Sequence, residues 1–347
     1  MVPSGSKGTA SLTQYPSKPR VLILTDITNE PDDAESFCRY LTYANQFRTE
    51  GIVAVTPTWL RNKVAPQNLH EIVDAHEKVV DNLKAHTHPS SPYPLGAERA
   101  RPHQVYGMAA VGDGIPLSEG AELLLERLTA REEDPLWVLV WGGVNVLAQV
   151  LDNIRNRPDA AKLCGKLRVY TISDQDDCGG WIRQQWPDIF YICSIHGWNQ
   201  YQCAAWTGIS SHYRSSGRCI PQFRVHHRGR HADFSARMQW TLSSDFGDVN
   251  HHPVASVNGD FGLTLVSVEV DAGGVVSFDA SESYDPDGDK LSFNWYQYRE
   301  PSSLQTYNGL EMSDIEIKPL KDDGSKAEVL IAPAEKSCTV VRDKCSS

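Results

Sequence analysis

The sequence predicts a mostly parallel α/β sheet flanked by helices, followed by a small β-sandwich. Three observations carry that expectation. From residue 20 to about 205, short apolar runs alternate with longer stretches whose apolar residues recur at helical spacing, the pattern of βαβ units. Near residue 250 the helical spacing stops, and short alternating runs begin between Gly, Asp, Pro and Ser, as in a β-sandwich. Several strand-like runs also end in loops rich in carboxylates or glycine, where open α/β sheets bind ligands. At 347 residues the chain is long enough for one large core and a smaller domain.

The first expected strand, 21–24, is Val-Leu-Ile-Leu. Directly after it comes Asp26-Ile27-Thr28-Asn29-Glu30-Pro31-Asp32-Asp33. A helix over 33–47 follows, with Ala34, Phe37, Cys38 and Leu41 on one stripe. Four acids at one strand end repel one another unless a cation or a proton compensates. Capping of the next helix accounts for one or two of them, not four. A hard cation such as Ca²⁺ collects oxygens of this kind.

Further along, strands are expected at 51–56, 136–141, 167–172 and 189–193, and helices at 67–84, 118–131, 144–154 and 179–186. The proline-rich segment 89–102 reads as a surface loop. Trp141-Gly142-Gly143-Val144-Asn145 joins a strand to a helix. Its glycines would let the backbone approach a ligand, with Asn145 as a substrate-binding candidate. Ser173-Asp174-Gln175-Asp176-Asp177-Cys178-Gly179-Gly180-Trp181 repeats the strand, acidic loop, helix order, with Asp176 as its candidate. After the last strand, Ser194-Ile195-His196-Gly197-Trp198-Asn199-Gln200-Tyr201 offers an imidazole, aromatic rings and amides suited to a sugar or base. His196 is placed to act as a general acid near neutral pH.

Residues 210–235 show little apolar periodicity and are read as irregular or shortened. The expected sandwich covers 254–335, with strands at 265–270, 275–279, 291–295, 315–317 and 327–331, and 336–347 as a tail. Its turn Asp285-Pro286-Asp287-Gly288-Asp289 is dense in oxygens but lacks the EF-hand pattern. Pro, Asp and Gly also suit an ordinary turn.

Composition narrows the function. The 44 acidic and 33 basic residues give a net charge of −11, which disfavours nucleic-acid polymers and anionic membranes as partners. The basic cluster at 224–231 is short and His-rich. No run approaches the roughly 18 apolar residues of a membrane span. Residues 1–18 lack an apolar signal-peptide core and read as a disordered arm, so a cytoplasmic setting is expected. The 8 cysteines form no Cys-x-x-Cys pair; those in apolar runs, such as Cys193, are expected as free thiols, while Cys338 and Cys345 could close a small tail loop in an oxidising compartment.

The loop Asp26-Ile27-x-x-Glu30-Pro31-Asp32-Asp33 resembles the N-terminal aspartate cluster of nucleoside hydrolases. It is more similar still to the divergent branch of cellulose-binding-protein-like, nucleoside hydrolase-like domains, whose loop is two residues longer. Ser173-Asp174-Gln175-Asp176-Asp177 with Gly180-Trp181-Ile182-Arg183 fits that branch. So do Trp206-Thr207-Gly208-Ile209-Ser210, Asn250-His251-His252-Pro253 and the late Ser283-Tyr284-Asp285-Pro286-Asp287-Gly288-Asp289.

The resemblance covers most of 18–335 and implies a nucleoside hydrolase-like fold with a C-terminal immunoglobulin-like domain. It implies Asp26 and Asp33 as Ca²⁺ ligands, with a carbonyl near Gly143 and Val144 as another. Asp26 would also be the general base. Asp32 would hold ribose hydroxyls, with Glu30, Trp198 and Asn199 beside the substrate. One departure stands out: the branch's Glu-Gly-Asp-Thr-Pro-Ser segment is missing, and Asp233 is the only carboxylate in 211–239.

The leading expectation is therefore a Ca²⁺-dependent hydrolase of N-glycosyl or related glycosyl bonds, with activity impaired if a metal ligand is lost. The alternative is a non-catalytic carbohydrate (cellulose)-binding protein using Trp198, Trp295 and Tyr296. The expected ligand is a small sugar, nucleoside or glycan, and homo-oligomers are common in the resembled family.

Overall fold

The computed structural model describes residues 8–29, 31–94, 100–193, 233–262, 265–297 and 315–336. Its contacts divide the chain into two compact units, 15–249, and 1–14 with 250–347.

The larger unit is built on six parallel strands: β1 Arg20–Thr25, β2 Arg48–Ala54, β3 Arg101–Pro102, β4 Leu136–Val140, β5 Leu167–Thr171 and β6 Phe190–Cys193. They lie in the order β3-β2-β1-β4-β5-β6. The helices are α1 Pro31–Thr42, α2 Pro66–Glu77, α3 Val80–Ala85, α4 Glu119–Thr129, α5 Asn145–Ile154, α6 Ala160–Lys166 and α7 Cys178–Gln185. Among the described residues no helix is long and apolar enough to cross a membrane.

β1 sits at the centre and every one of its residues is buried. Successive side chains of a strand point to opposite faces. Accordingly Val21 and Ile23 join Phe37, Leu41, Leu69 and Val73 under α1 and α2. Leu22 and Leu24 join Leu124, Val138, Leu147, Val150 and Ile182 under α4, α5 and α7. At the start of β1, buried Arg20 donates to Glu50 Oε1 at 2.7 Å and to the carbonyls of Arg127 and Asp134 at 2.9 and 3.1 Å. Removing the Glu50 carboxylate would strand that guanidinium.

The strand order reverses between β2-β1 and β4-β5, which makes the β1/β4 junction a topological switch point. Ligands of such sheets bind in the crevice outside the carboxyl ends of the strands there.

Several elements differ from expectation. The first helix begins at Pro31, so Asp32 and Asp33 fall in its first turn, and it ends at Thr42 before a short 3-10 turn. The helix expected at 67–84 is two helices, α2 and α3. α6 was not expected, and β3 lies inside the segment read as a loop. A helical stretch at 233–240 packs Trp240 against Ala44, Leu83 and Tyr93. There Asp233 is engaged by the Tyr43 hydroxyl and Arg237. The lone carboxylate of 211–239 thus serves this structural cluster, not the acidic loop.

In the second unit, Val275–Asp279 (β9), Glu316–Pro319 (β10) and Lys326–Leu330 (β11) form a three-stranded antiparallel sheet in the order β10-β11-β9. Ser256–Val257 (β7) and Asp260–Phe261 (β8) form a hairpin. Asn258 and Gly259 turn it with φ of 53° and 88°, the left-handed pair that a two-residue turn needs. Of the expected sandwich, the described residues form this three-stranded sheet and the hairpin. Residues 265–270 and 291–295 carry no strand; Leu265 is 90 % exposed, so the first of these has little burial to hold it in a ladder. The arm expected to be disordered is ordered from Gly8, with Ser11, Leu12 and Thr13 buried. The described cysteines, Cys38, Cys164, Cys178 and Cys193, are free.

Candidate acidic site at the switch point

β1 delivers Asp26 to the crevice. The Asn29 amide donates to the Asp26 carbonyl at 3.0 Å, closing a tight turn over buried Ile27. Proline in the first helical position then starts α1 with φ already set, and the next two residues are Asp32 and Asp33.

Asp33 is buried, and Thr25 Oγ1 donates to its Oδ1 at 2.6 Å. Asp26 is 2 % exposed, and outside the hydrogen bond it shares with Asp33 when protonated its carboxyl oxygens have no partner. Burial, then the neighbouring Asp33 charge, pushes Asp26 up to about 8. Two adjacent buried carboxylates cannot both ionise cheaply. Asp26 therefore holds a proton at neutral pH unless a cation replaces it. Asp32 is raised by burial too, opposed by backbone amides, and its Oδ1 is buried without a partner.

The turn after β4 forms the facing wall. A Cβ at Gly142 would sit 2.7 Å from Asp26 Oδ1. One at Gly143 would run into the Thr56 carbonyl and lie 2.7 Å from Asp176 Oδ2. The two glycines therefore let the backbone pass between two carboxylates. Asn145 is fully buried: its Nδ2 donates to Thr56 Oγ1 at 2.9 Å and to the Val105 carbonyl at 2.8 Å. It ties loops together and does not present a free amide. The Val144 carbonyl accepts from the Ala148 amide at 3.1 Å, as the first bond of α5. That carbonyl follows the helix axis, away from the role implied for it as a metal ligand.

The β5–α7 loop adds Asp176, which is buried. Its Oδ1 accepts from the Cys178 amide at 2.9 Å, and its Oδ2 has no partner. Burial raises it to about 6, while the amides of Cys178, Val144 and Asn145 oppose the rise. It thus sits at the N-termini of both α5 and α7, where negative charge is favoured. Its neighbours are committed elsewhere. Asp174 forms a two-pronged pair with Arg183 at 3.0 and 2.6 Å, and Asp177 accepts from the Met108 amide at 2.9 Å. Gln175 Nε2 donates to the Trp141 carbonyl at 2.5 Å, and its own carbonyl accepts from Thr58.

Of the residues expected from sequence, Asp26, Asp32, Asp33 and Asp176 lie at the carboxyl ends of β1 and β5. Glu30, His196, Trp198 and Asn199 lie outside the described residues. In the second unit Trp295 stacks on Phe278 and donates to the Gly324 carbonyl at 2.7 Å, whereas Tyr296 is 51 % exposed. Sequence reasoning missed a cavity of about 300 Å³ beside the acidic loop, lined in part by Thr28, Asn29, Asn68 and Glu71. The two α2 residues read as an ordinary solvated helix face, which gives no signal.

The fit to Ca²⁺ is partial. Asp26 offers two buried oxygens beside Asp33, as a cation site requires. Yet among the described residues no three His, Cys, Asp or Glu side chains converge to hold an ion. Ca²⁺ takes six to eight oxygens, of which Asp26 and Asp33 are the carboxylate candidates among the described residues.

A family model described as cellulose-binding Sde182, nucleoside hydrolase-like domain, matches residues 20–233. Another, described as cellulose-binding protein Sde0182, C-terminal domain, matches 275–342. No curated protein matches the chain. Among solved structures it is similar to a nucleoside hydrolase-related hypothetical protein from Saccharophagus degradans, associated with carbohydrate metabolism. The two share 26 % identity and a TM-score of 0.71, with 92 % of each chain covered. An inosine-uridine preferring nucleoside hydrolase from Bacillus anthracis aligns at 15 % identity and a TM-score of 0.28, over 45 % of this chain and 50 % of that one. That likeness carries no argument.

Proposed function

The chain belongs to the cellulose-binding Sde182, nucleoside hydrolase-like family, and from that premise we propose that it binds a carbohydrate in the acidic crevice at the ends of β1, β4 and β5. One observation carries the reading. Asp26 has both carboxyl oxygens buried at the switch point of the sheet, with no partner beyond the proton it shares with Asp33. A buried polar group without a partner is costly, and paired sugar hydroxyls are donors that a carboxyl accepts. Asp32 Oδ1 and Asp176 Oδ2, also unpartnered, extend the acceptor surface. A crevice of this sign, in a chain of net charge −11, selects neutral ligands over anionic ones.

A second reading, hydrolysis of an N-glycosyl or related glycosyl bond, is favoured by the raised Asp26. We assign Ca²⁺, held by Asp26 and Asp33, as the ion that would let both ionise. When bound it would supply Lewis-acid activation of a water. Ionised Asp26 would then take the proton of a water attacking the anomeric carbon, while the leaving atom takes up a proton as its bond breaks. Among the described residues no third side-chain donor joins Asp26 and Asp33, so simple binding is put first.

Isothermal titration with cellotriose, on wild type and Asp26→Asn, tests the first reading. At least a tenfold loss of affinity is expected, and equal heats would sink it. Release of base from inosine by the wild type, lost in Asp26→Asn and in chelator, would promote the second reading over the first.

A further inference from the structure

We propose that a second subsite lies on the outer side of the acidic loop, between α1 and α2, and that it takes one neutral pyranose unit of a glycan. The proposal rests on the crevice being a carbohydrate site, and it adds the size and charge of the ligand. The cavity there has a volume of about 300 Å³, at the small end of ligand sites. One wall is the acidic loop, through Thr28 and Asn29. The facing wall is α2, through Asn68 and Glu71, and Ile27 and Ile72 supply apolar surface.

This chemistry is selective. The amides of Asn29 and Asn68 both donate and accept, and Glu71 accepts from up to two hydroxyls. Ile27 and Ile72 suit the C–H face of a sugar ring. Among the described lining residues there is no Lys, Arg or His and no aromatic ring. A phosphorylated or carboxylated ligand would meet Glu71 without a counter-charge. A nucleobase would find no ring to stack on. A neutral pyranose meets neither obstacle.

A second observation comes from the backbone. Thr28 has a φ of 81° at the third position of the turn closed by Asn29, a place that favours glycine. For a β-branched residue this is an outlier, and such strain gathers at ligand sites. Thr28 puts a hydroxyl and a methyl group into the cavity wall where glycine would leave a gap. The same turn begins at buried Asp26 and ends at Thr28 and Asn29 in the cavity lining. Its ends lie within about 7 Å of each other, the scale of one sugar unit. Neighbouring units of one glycan can therefore occupy the two sites.

The test is titration of the full chain with glucose, cellobiose and cellotriose. Wild type is compared with the double variant Asn68→Ala/Glu71→Gln, both exposed positions on α2, and with Asp26→Asn. Wild type should bind cellobiose about tenfold more tightly than glucose. The double variant should bring that ratio to within about twofold while glucose binding holds. An unchanged ratio in the double variant, with binding lost in Asp26→Asn, would overturn the subsite and leave the crevice reading standing. Equal binding by Asp26→Asn and wild type, or no sugar binding by wild type, would overturn the crevice reading and this one with it. Tight inosine binding that weakens in the double variant would overturn the neutral-pyranose assignment.

Discussion

Residues 26–33 and 285–289 are both short acidic loops with a single proline, yet the fold uses their oxygens in opposite ways. In the first, Asp26 lies buried with no partner beyond the proton it shares with Asp33, and Asp32 keeps one buried oxygen without a partner. In the second, Asp285 Oδ1 accepts from the amides of Asp287 and Asp289 at 2.9 and 3.2 Å. Asp287 accepts from the His251 amide at 2.6 Å and its ring Nδ1 at 2.8 Å. In the late loop Asp285 and Asp287 are satisfied, by the turn's own amides and by His251; the early one awaits a ligand, a cation or a proton. Acid density alone does not mark a site. Burial without partners does.

The largest way to test that contrast is the pH dependence of stability. Asp26 stands at about 8 in the folded protein against 3.8 for the free side chain. The folded state therefore holds the proton more tightly than the unfolded chain does. That contribution is fully present below pH 3.8 and is lost as pH rises through about 8. Wild type should lose stability across this window. Asp26→Asn, which cannot ionise there, should lose less, keeping only the smaller losses from Asp32 and Asp176, whose carboxyls burial also raises, and at pH 8 it should be more stable by on the order of 5 kcal/mol. Thermal melts at pH 4 and pH 8 check this, and parallel slopes would count against the buried pair. Adding Ca²⁺ should flatten the wild-type slope by replacing the proton.

The next effect concerns the wall between the carboxylates. Gly143→Ala would press its methyl group onto the Thr56 carbonyl and Asp176. Overpacking of this kind costs about 1–3 kcal/mol, and the displaced turn should weaken sugar binding as well. Chemical denaturation and titration of one preparation measure both losses. A stable variant with full affinity would mean that the diglycine turn does not shape the crevice.

The sequence made the strands easier to read than the site. β1 and β4 leave continuous apolar runs and β5 alternates buried Leu167, Val169 and Thr171 with more exposed residues, so the ends of all three are legible to within a residue or two. β3 has two residues in a proline-rich stretch, and α6 is short and lacks a side-chain cap; neither leaves a periodic signal. In the site, the positions of the acids could be read but not the fate of each oxygen. Asp174, Asp176 and Asp177 look alike in sequence. Only the fold gives Asp174 to Arg183 and Asp177 to Met108, leaving Asp176 Oδ2 open. Asn145 misled for the same reason, since its partners Thr56 and Val105 arrive from loops distant in the chain.

The smallest effect tests the late loop. Asp287→Ala removes the acceptor for the His251 amide and ring, two bonds in a half-buried setting. Each such bond contributes about 1 kcal/mol net, so a loss of roughly 1–2 kcal/mol is expected, felt in the unit that holds residues 250–336. Sugar affinity and the pH slope set by Asp26 should be unchanged, because both Asp287 oxygens are already engaged by His251. Weakened cellotriose binding in a folded Asp287→Ala variant would erase the distinction between the loops. It would make the late turn part of the ligand surface, and burial without partners would no longer separate a site from a turn in this chain.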